Sequence, residues 1–368
     1  MASYDEQAAA GGAHGDDEVV AVVPVYRSAA EVLQKLQEEE RPPYPASAMY
    51  SSVVGGIILD PAMMQLPIDD HMVHRGHGVF DTAMILDGAL YELDQHLDRF
   101  LRSAAAARIL QLTDDDDTAA GATPPRSPPP FTRDTLRRIL VQMTAASGCR
   151  KGSIRYWMSA GPGDFLLSPR AGCPAPAFYA VVIPADYEQC REGVRAITAP
   201  ASVPMKPSHM ATVKNVNYLP NVLAIMDAED RGAFASVWVD GDGFVAEGPM
   251  VNVAFVTPAR ELVLPPFHNI LSGCTARRLL ALAPRLVDAG VLAAVSNRPI
   301  TAEEAKRSLE MAFVGSGLPV LPIVEWDGHA IGDAKVGPIM LALSDLLWED
   351  MKSGPHRIPV PYTTTTQQ

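Results

Sequence analysis

The sequence predicts an α/β (α+β) protein built as two domains. Three observations carry this. The chain has 368 residues, enough for two cores; 48% of them are hydrophobic against 20% charged; and short strand patterns alternate with segments of helical spacing from about Tyr50 onward. No internal repeat is visible.

Residues 1–20 mix Ala, Gly and acidic residues without periodicity and are expected to form a disordered tail. Ser28 followed by Glu31 is a capping-box pattern. It opens an amphipathic helix through Val32, Leu33 and Leu36 that ends at Pro42 and Pro43, making residues 21–49 a helical extension. Strand patterns follow over 53–59 and 79–86, and Asp87-Gly88 is a hairpin turn into 89–93. Leu97, Phe100, Leu101 and Ala104 keep helical spacing to about Leu110. The stretch 113–130, with an acidic run at 114–117 and then a Pro-rich tract, is low-complexity and reads as a solvated loop. A helix resumes over 132–147, and strands over 153–159 and 177–183 flank the Gly161-Pro162-Gly163 turn. These elements make a small α/β domain, residues 50–184, followed by an interdomain connection, residues 185–200.

The larger domain, residues 201–352, reads as a helix over 217–231, strands over 236–239, 251–257 and 261–264, and helices over 275–289 and 302–309. A hairpin over 320–325 turns at Trp326-Asp327-Gly328, and a last helix spans 337–351. Residues 353–368 are expected to be a flexible tail.

The formal net charge of −13, with no long Lys/Arg run, argues against nucleic-acid binding. Cys149, Cys173, Cys190 and Cys274 form no C-x-x-C pair, and His74 and His77 have no cysteine partners, so no metal site is expected. No apolar run approaches the roughly 20 residues of a membrane span. The acidic first residues resemble neither a signal nor a transit peptide, so a cytoplasmic location is expected; a trimmed plastid precursor would look similar.

Lys214 stands in V-K-N-V-N-Y-L-P-N, where apolar flanks hold an amine out of bulk water and free to attack a carbonyl. Glu247, in E-G-P-M-V-N-V-A-F-V, is a carboxylate entering an otherwise apolar strand. A buried acid there needs a partner, whereas a turn carboxylate facing water does not. Ile270-Leu271-Ser272-Gly273-Cys274-Thr275 leads into a helix whose N-terminal N–H groups could serve an anion, or be a plain helix cap.

In this order the three motifs, K-x-x-N-Y-L-P-N, E-G-x-x-x-N and I-L-x-G-x-T, resemble the fold-type IV pyridoxal phosphate family, which includes branched-chain aminotransferases, D-amino acid aminotransferases and aminodeoxychorismate lyase. The resemblance runs from about Tyr50 to the last helix. It implies pyridoxal 5′-phosphate as cofactor, Lys214 as Schiff-base lysine and Glu247 as partner of the protonated pyridine nitrogen. It also implies a phosphate held at Gly273, Cys274 and Thr275. His96-Leu97-Asp98-Arg99 matches the family helix whose arginine binds that phosphate, and fork geometry suits Arg99 to the role. Ser316 and Gly317 fall in the family's second phosphate turn, one residue shorter here. Phe80, in D-H-M-V-H-R-G-H-G-V-F-D-T, takes the place of an aromatic residue beside the cofactor.

By resemblance, the substrate amine displaces Lys214, Lys214 shuttles the α-proton, and an amino group passes from an amino acid to a 2-oxo acid. The long match over 70–82 is most similar to plant members combining D-amino acid aminotransferase and lyase character, so D-amino acids such as D-alanine are the favoured substrates. Aminodeoxychorismate lyase, which makes p-aminobenzoate and pyruvate for folate synthesis, is one alternative, and a branched-chain L-amino acid aminotransferase is another. The joint presence of Lys214, Glu247 and Arg99 speaks against a catalytically dead binding protein. Arg155 resembles an arginine at the active-site edge of branched-chain enzymes and is the candidate clamp for a substrate carboxylate. Bacterial D-amino acid enzymes carry an arginine just before the strand's glycine, where this chain has Ala160 before Gly161. Thr82 reads either as a hydrogen-bonding partner of cofactor or substrate, or as a β-branched strand residue. Family members pair as homodimers, which is expected here too.

Overall fold

A computed structural model describes residues 23–38, 46–110 and 131–362. In chain order the elements are α1 (Ala29–Glu38), β1 (Ala48–Ser51), β2 (Gly56–Ile58), α2 (His71–Arg75), β3 (Gly78–Leu86), β4 (Ala89–Tyr91), α3 (Leu93–Ala106), α4 (Arg133–Ser147), β5 (Gly152–Ser159), α5 (Pro169–Gly172), β6 (Ala177–Pro184), β7 (Val194–Thr198), α6 (Ser208–Ala211), α7 (Leu219–Asp230) and β8 (Ala235–Val237). There follow β9 (Asn252–Val256), β10 (Glu261–Leu264), α8 (Cys274–Leu282), α9 (Pro284–Asp288), β11 (Ala294–Asn297), α10 (Ala302–Lys306), β12 (Glu310–Val314), β13 (Leu321–Trp326), β14 (His329–Ala330), α11 (Pro338–Ser353) and β15 (Arg357–Pro359).

Two sheets organise the unit from residue 43 onward. The first, in the order β15-β4-β3-β5-β6-β1-β2, is antiparallel throughout. The second, β11-β10-β9-β12-β13-β7-β8 with β14 paired to β13, is mixed, with parallel pairs at β10–β11, β13–β7 and β7–β8. Helices α3 and α4 cover one face of the first sheet. Leu93, Leu97 and Phe100 of α3 and Leu136, Leu140 and Met143 of α4 repeat at helical spacing and bury against Ile85, Ile154 and Phe178. Each such side chain removed from water contributes about 1.5–3 kcal/mol. On the second sheet, Leu279 and Leu282 of α8 and Leu343 and Leu347 of α11 pack on Ala254, Val256 and Leu264, and Met84, Leu86 and Tyr91 of the first sheet join the same core.

Several sequence expectations change for local reasons. Of the single strand expected over 53–59 only 56–58 forms a strand; Gly55 adopts φ 78 in a turn that pairs β2 with β1, which lies before that segment and begins inside the expected 21–49 helical extension. The helix expected over 275–289 is two, α8 and α9. Pro284 supplies no N–H and stands at the start of the second. Strands β7, β11, β12 and β15 have no counterpart among the sequence patterns. Residues 357–359, expected within a flexible tail, instead pair antiparallel with β4, Ile358 opposite Leu90. Glu310, the polar opening of β12, is buried because its carboxylate caps α11, accepting from Ile339 N at 3.0 Å and Met340 N at 2.6 Å. Gly337, the residue before that helix, has no side chain to do so.

The α1 unit makes one half of the anticipated capping box, Glu31 N donating to Ser28 Oγ at 3.3 Å, while the Glu31 carboxylate accepts from Arg27 N at 2.8 Å, one residue before the cap. The expected tail at 1–20 and the acidic and Pro-rich loop at 113–130 lie outside the described residues, as does the end of the first helix at Pro42 and Pro43. Among the described residues no helix is long and apolar enough to cross a membrane, and no cluster of His, Cys, Asp or Glu has metal-binding geometry.

Candidate active site

The Lys214 segment is laid along β3. Phe80 N donates to Lys214 O at 2.9 Å and Val216 N to Gly78 O at 3.0 Å, while Lys214 N donates to Ser103 Oγ of α3 at 3.2 Å. Asn215 stiffens the bend from within: its amide donates to Met210 O and Val213 O, and its carbonyl oxygen accepts from Asn217 N. The half-buried lysine side chain is therefore aimed by backbone. Its Nζ lies 4.5 Å over the Phe80 ring and 3.3 Å from the Tyr218 hydroxyl. The two rings meet edge to face at 5.0 Å. The aromatic walls keep the amine partly dry while the phenol gives it a hydrogen-bond partner.

Glu247 is buried and has one donor among the described residues, Leu271 N at 3.2 Å. Burial pushes its carboxyl up to about 8, against the backbone bond and the charges of Lys206, Lys214 and Arg99. Two asparagines lock this motif to its neighbours. Asn221 of α7 donates to Pro249 O, and Asn252 donates to Leu271 O at 3.0 Å. Asn252 also accounts for the glycine of the third motif, since a Cβ at Gly273 would meet its Oδ1 at 2.0 Å. The three motifs recognised separately in sequence are thus one bonded assembly.

At Gly273 the assembly reaches the N-terminus of α8, which has no side-chain cap, so its first-turn N–H groups remain available. Arg99 arrives from α3, with Nη1 on Ser272 O at 3.2 Å and Nε and Nη2 on the two oxygens of Asp81 at 2.9 and 2.7 Å. His96, one turn earlier, donates from Nδ1 to Asp81 at 2.8 Å and has Nε2 3.5 Å from Ser316 Oγ, which is 3.4 Å from Thr275 Oγ1. Burial alone would raise the Asp81 carboxyl, but Arg99 and His96 more than reverse it and hold Asp81 well below the usual carboxylate range. Burial likewise opposes a charged His96, yet Cys274 and Asp81 raise it to about 10. The Arg99 guanidinium and the His96 imidazole therefore stand at the helix end beside the Thr275 and Ser316 hydroxyls. Cys274 is buried there, and Gly317 is exposed in open space on the neighbouring turn.

Thr82 and Arg155 are direct partners across β3 and β5, as are Phe80 and Trp157, so all four share the face that carries Lys214. Thr82 is half-buried; Arg155 is exposed and has no hydrogen bond or ion pair among the described residues. The structure thus brings Lys214, Phe80, Glu247, Arg99, Gly273, Cys274, Thr275 and Ser316 into one site, with Thr82 and Arg155 on its wall and Gly317 at its margin. Asp81, His96, Tyr218, Asn221 and Asn252 stand within the sequence motifs but have no role assigned to them there. The signal was there for Asp81, a lone acid in an apolar strand, and for His96, three residues from Arg99 on one helix face.

These residues meet three demands of pyridoxal 5′-phosphate: an amine for its aldehyde, a buried acid with no ion pair among the described residues for its ring nitrogen, and an uncapped helix N-terminus with Arg99 for its phosphate. Residues 78–326 match the model of amino-transferase class IV. The chain is 55% identical over 318 residues to a chloroplastic D-amino-acid transaminase of Arabidopsis thaliana, covering 86% of this chain and 80% of that one. It is 30% identical over 243 residues to a bifunctional aminodeoxychorismate lyase / D-amino acid transaminase of Mycobacterium tuberculosis, covering 62% and 76%. In fold it is similar to a T.th. branched-chain amino acid aminotransferase complexed with N-(5′-phosphopyridoxyl)-L-glutamate, with TM-score 0.74, 22% identity and coverage of 86% and 99%.

Proposed function

The chain belongs to the amino-transferase class IV family, and from there we propose that its site binds pyridoxal 5′-phosphate and moves an amino group from a D-amino acid, D-alanine foremost, to a 2-oxo acid. The observation supporting this most directly is the pairing of a partly dry lysine amine with a buried acid that has a single hydrogen-bond donor. Similarity to the Arabidopsis D-amino-acid transaminase supports the choice of substrate.

When bound, the cofactor supplies an aldehyde for the substrate amine and a ring that accepts the electrons left when the α-proton departs. Lys214 Nζ would move that proton, and the Tyr218 hydroxyl 3.3 Å away would steady the amine while it does so. Glu247 would accept a hydrogen bond from the protonated ring nitrogen, a cationic partner that favours its charged form. Arg99, the Thr275 and Ser316 hydroxyls and the first N–H groups of α8 hold the phosphate. Phe80 walls off water beside the amine.

The test is a half-reaction. Wild-type protein with added pyridoxal phosphate should show a visible band that Lys214→Ala lacks, and D-alanine but not L-alanine should convert that band while releasing pyruvate. A protein with no such band sinks the reading. A second reading, aminodeoxychorismate lyase, is favoured by similarity to the bifunctional Mycobacterium tuberculosis enzyme. Formation of p-aminobenzoate without amino transfer would put it first.

We further infer a homodimer. Leu219, Val222, Leu223 and Met226 form an exposed apolar stripe at helical spacing on α7, directly after the Lys214 segment. Light scattering should give twice the chain mass, and Leu223→Glu with Met226→Glu should give one. A plastid location follows the chloroplastic relative; a fluorescent fusion confined to the cytosol would exclude it.

A further inference from the structure

Lys206 belongs to none of the motifs above. It sits on the segment between β7 and α6, where Pro204 and Pro207 fix the backbone on either side. Its ammonium lies 4.4 Å over the ring of Tyr218, the same residue whose hydroxyl is 3.3 Å from Lys214 Nζ. It also lines a cleft of about 480 Å³ whose walls mix apolar side chains, Val203, Met205 and Trp238 among them, with polar ones, Ser208, Asp240 and Asn269. That volume is in the range of small-ligand sites. The other charged residue of the cleft, Asp240, is engaged: its Oδ1 accepts from Asp242 N at 3.0 Å and Phe244 N at 2.9 Å. Lys206 makes no hydrogen bond or ion pair among the described residues. A partly buried cation without a bonded partner calls for an anion, and attraction to one is stronger there than in open water.

We propose that Lys206 is a substrate-binding residue that holds a carboxylate of the amino acid or 2-oxo acid beside the Lys214 amine. The proposal rests on the amino-transfer reading, in which every substrate carries an α-carboxylate and some carry a second on the side chain. It assigns to Lys206 the clamp that the sequence pointed to in Arg155. Arg155 is solvated on β5, where a single ion pair is worth little. Lys206 touches the phenol that touches the reacting amine. Its free state is consistent with a waiting partner: burial pulls its pKa down, the Lys214 charge adds to this, and Glu247 opposes. A bound carboxylate would reverse the shift.

The experiment compares Lys206→Met, Lys206→Arg and Arg155→Met in the holoenzyme. Steady-state kinetics use pyruvate, with one carboxylate, and 2-oxoglutarate, with two. Calorimetry measures the binding of propionate and glutarate, which cannot turn over. Lys206→Met should raise KM and weaken acid binding about ten- to a hundred-fold with kcat little changed, and Lys206→Arg should restore most of the loss. Equal losses for all four acids assign the α-carboxylate, and losses confined to 2-oxoglutarate and glutarate assign the side-chain carboxylate. Either supports the proposal. It is overturned if the loss follows Arg155→Met instead. A Lys206→Met enzyme with an altered visible band and kcat but unchanged KM and acid binding also overturns it, since Lys206 would then act through Glu247. Calorimetry reads the site even where no amino group is transferred. Lys206-dependent acid binding without transfer would fail the functional reading alone, and transfer with Lys206-independent binding would fail this one alone.

Discussion

Arg99 spends two of its three guanidinium nitrogens on Asp81, Nε at 2.9 Å and Nη2 at 2.7 Å, and turns the third toward the loop before α8. The pair is buried, and His96 shares the same carboxylate. Asp81 therefore sets the direction of a cation meant for something else. Asp81→Ala should destabilise the protein by about 3–5 kcal/mol, because it leaves Arg99 and His96 buried without their anion. Urea unfolding checks this, and a loss under about 1 kcal/mol would show that water replaces the carboxylate.

Glu247 gives the cofactor-free protein a defined pH response. Its folded pKa of about 8 lies above its ordinary 4.5. The group's contribution is thus fully present below about 4.5 and is lost as pH rises toward 8. Glu92, raised to about 7 chiefly by burial, acts in the same direction. Melting temperatures of cofactor-free wild type should fall across this window, and Glu247→Gln should flatten part of the slope while leaving the Glu92 part. Identical slopes in the two proteins would contradict the assignment.

Tyr218→Phe keeps the ring against Phe80 and Lys206 and removes only the hydroxyl near Lys214 Nζ. A net hydrogen bond of this kind is worth about 0.5–1.5 kcal/mol, so kcat for D-alanine should fall about two- to ten-fold. The visible band should persist. Its disappearance would mean that the phenol is needed for cofactor attachment itself.

Gly273→Ala should push the added methyl into Asn252 Oδ1, breaking the brace on the Leu271 carbonyl. A cost of about 1–3 kcal/mol is expected from such overpacking. Because the displaced loop leads into α8, pyridoxal phosphate should also dissociate faster, followed by loss of the visible band on dilution. Unchanged dissociation would place the strain elsewhere.

The groups proposed to react were the legible part of the sequence because Lys214, Glu247 and the Gly273 turn each occupy a short motif, and the three in this order resemble one family. Their supports were harder to read. Asp81 and Arg99 lie on different elements, and Asn221 and Asn252 act by reaching a carbonyl in the next motif, so their purpose exists only after folding. Lys206 has no local pattern at all. In the fold, long elements such as β3, β5 and α4 declared themselves through period, while β12 opened with a charge whose role is to cap a helix further along the chain. The Gly55 turn was hidden inside an apolar run, and Pro284 broke a continuous helical pattern.

The pairing of β15 with β4 also sets an order of events during synthesis. Residues 89–91 leave the ribosome early, but the strand that covers their outer edge comes after α11. Until then a nascent chain carries an open sheet edge next to a nearly complete core, the kind of edge that recruits other chains. Truncation before residue 357 would make that interval permanent, so shortened chains should collect in the insoluble fraction although every residue of the proposed site is present.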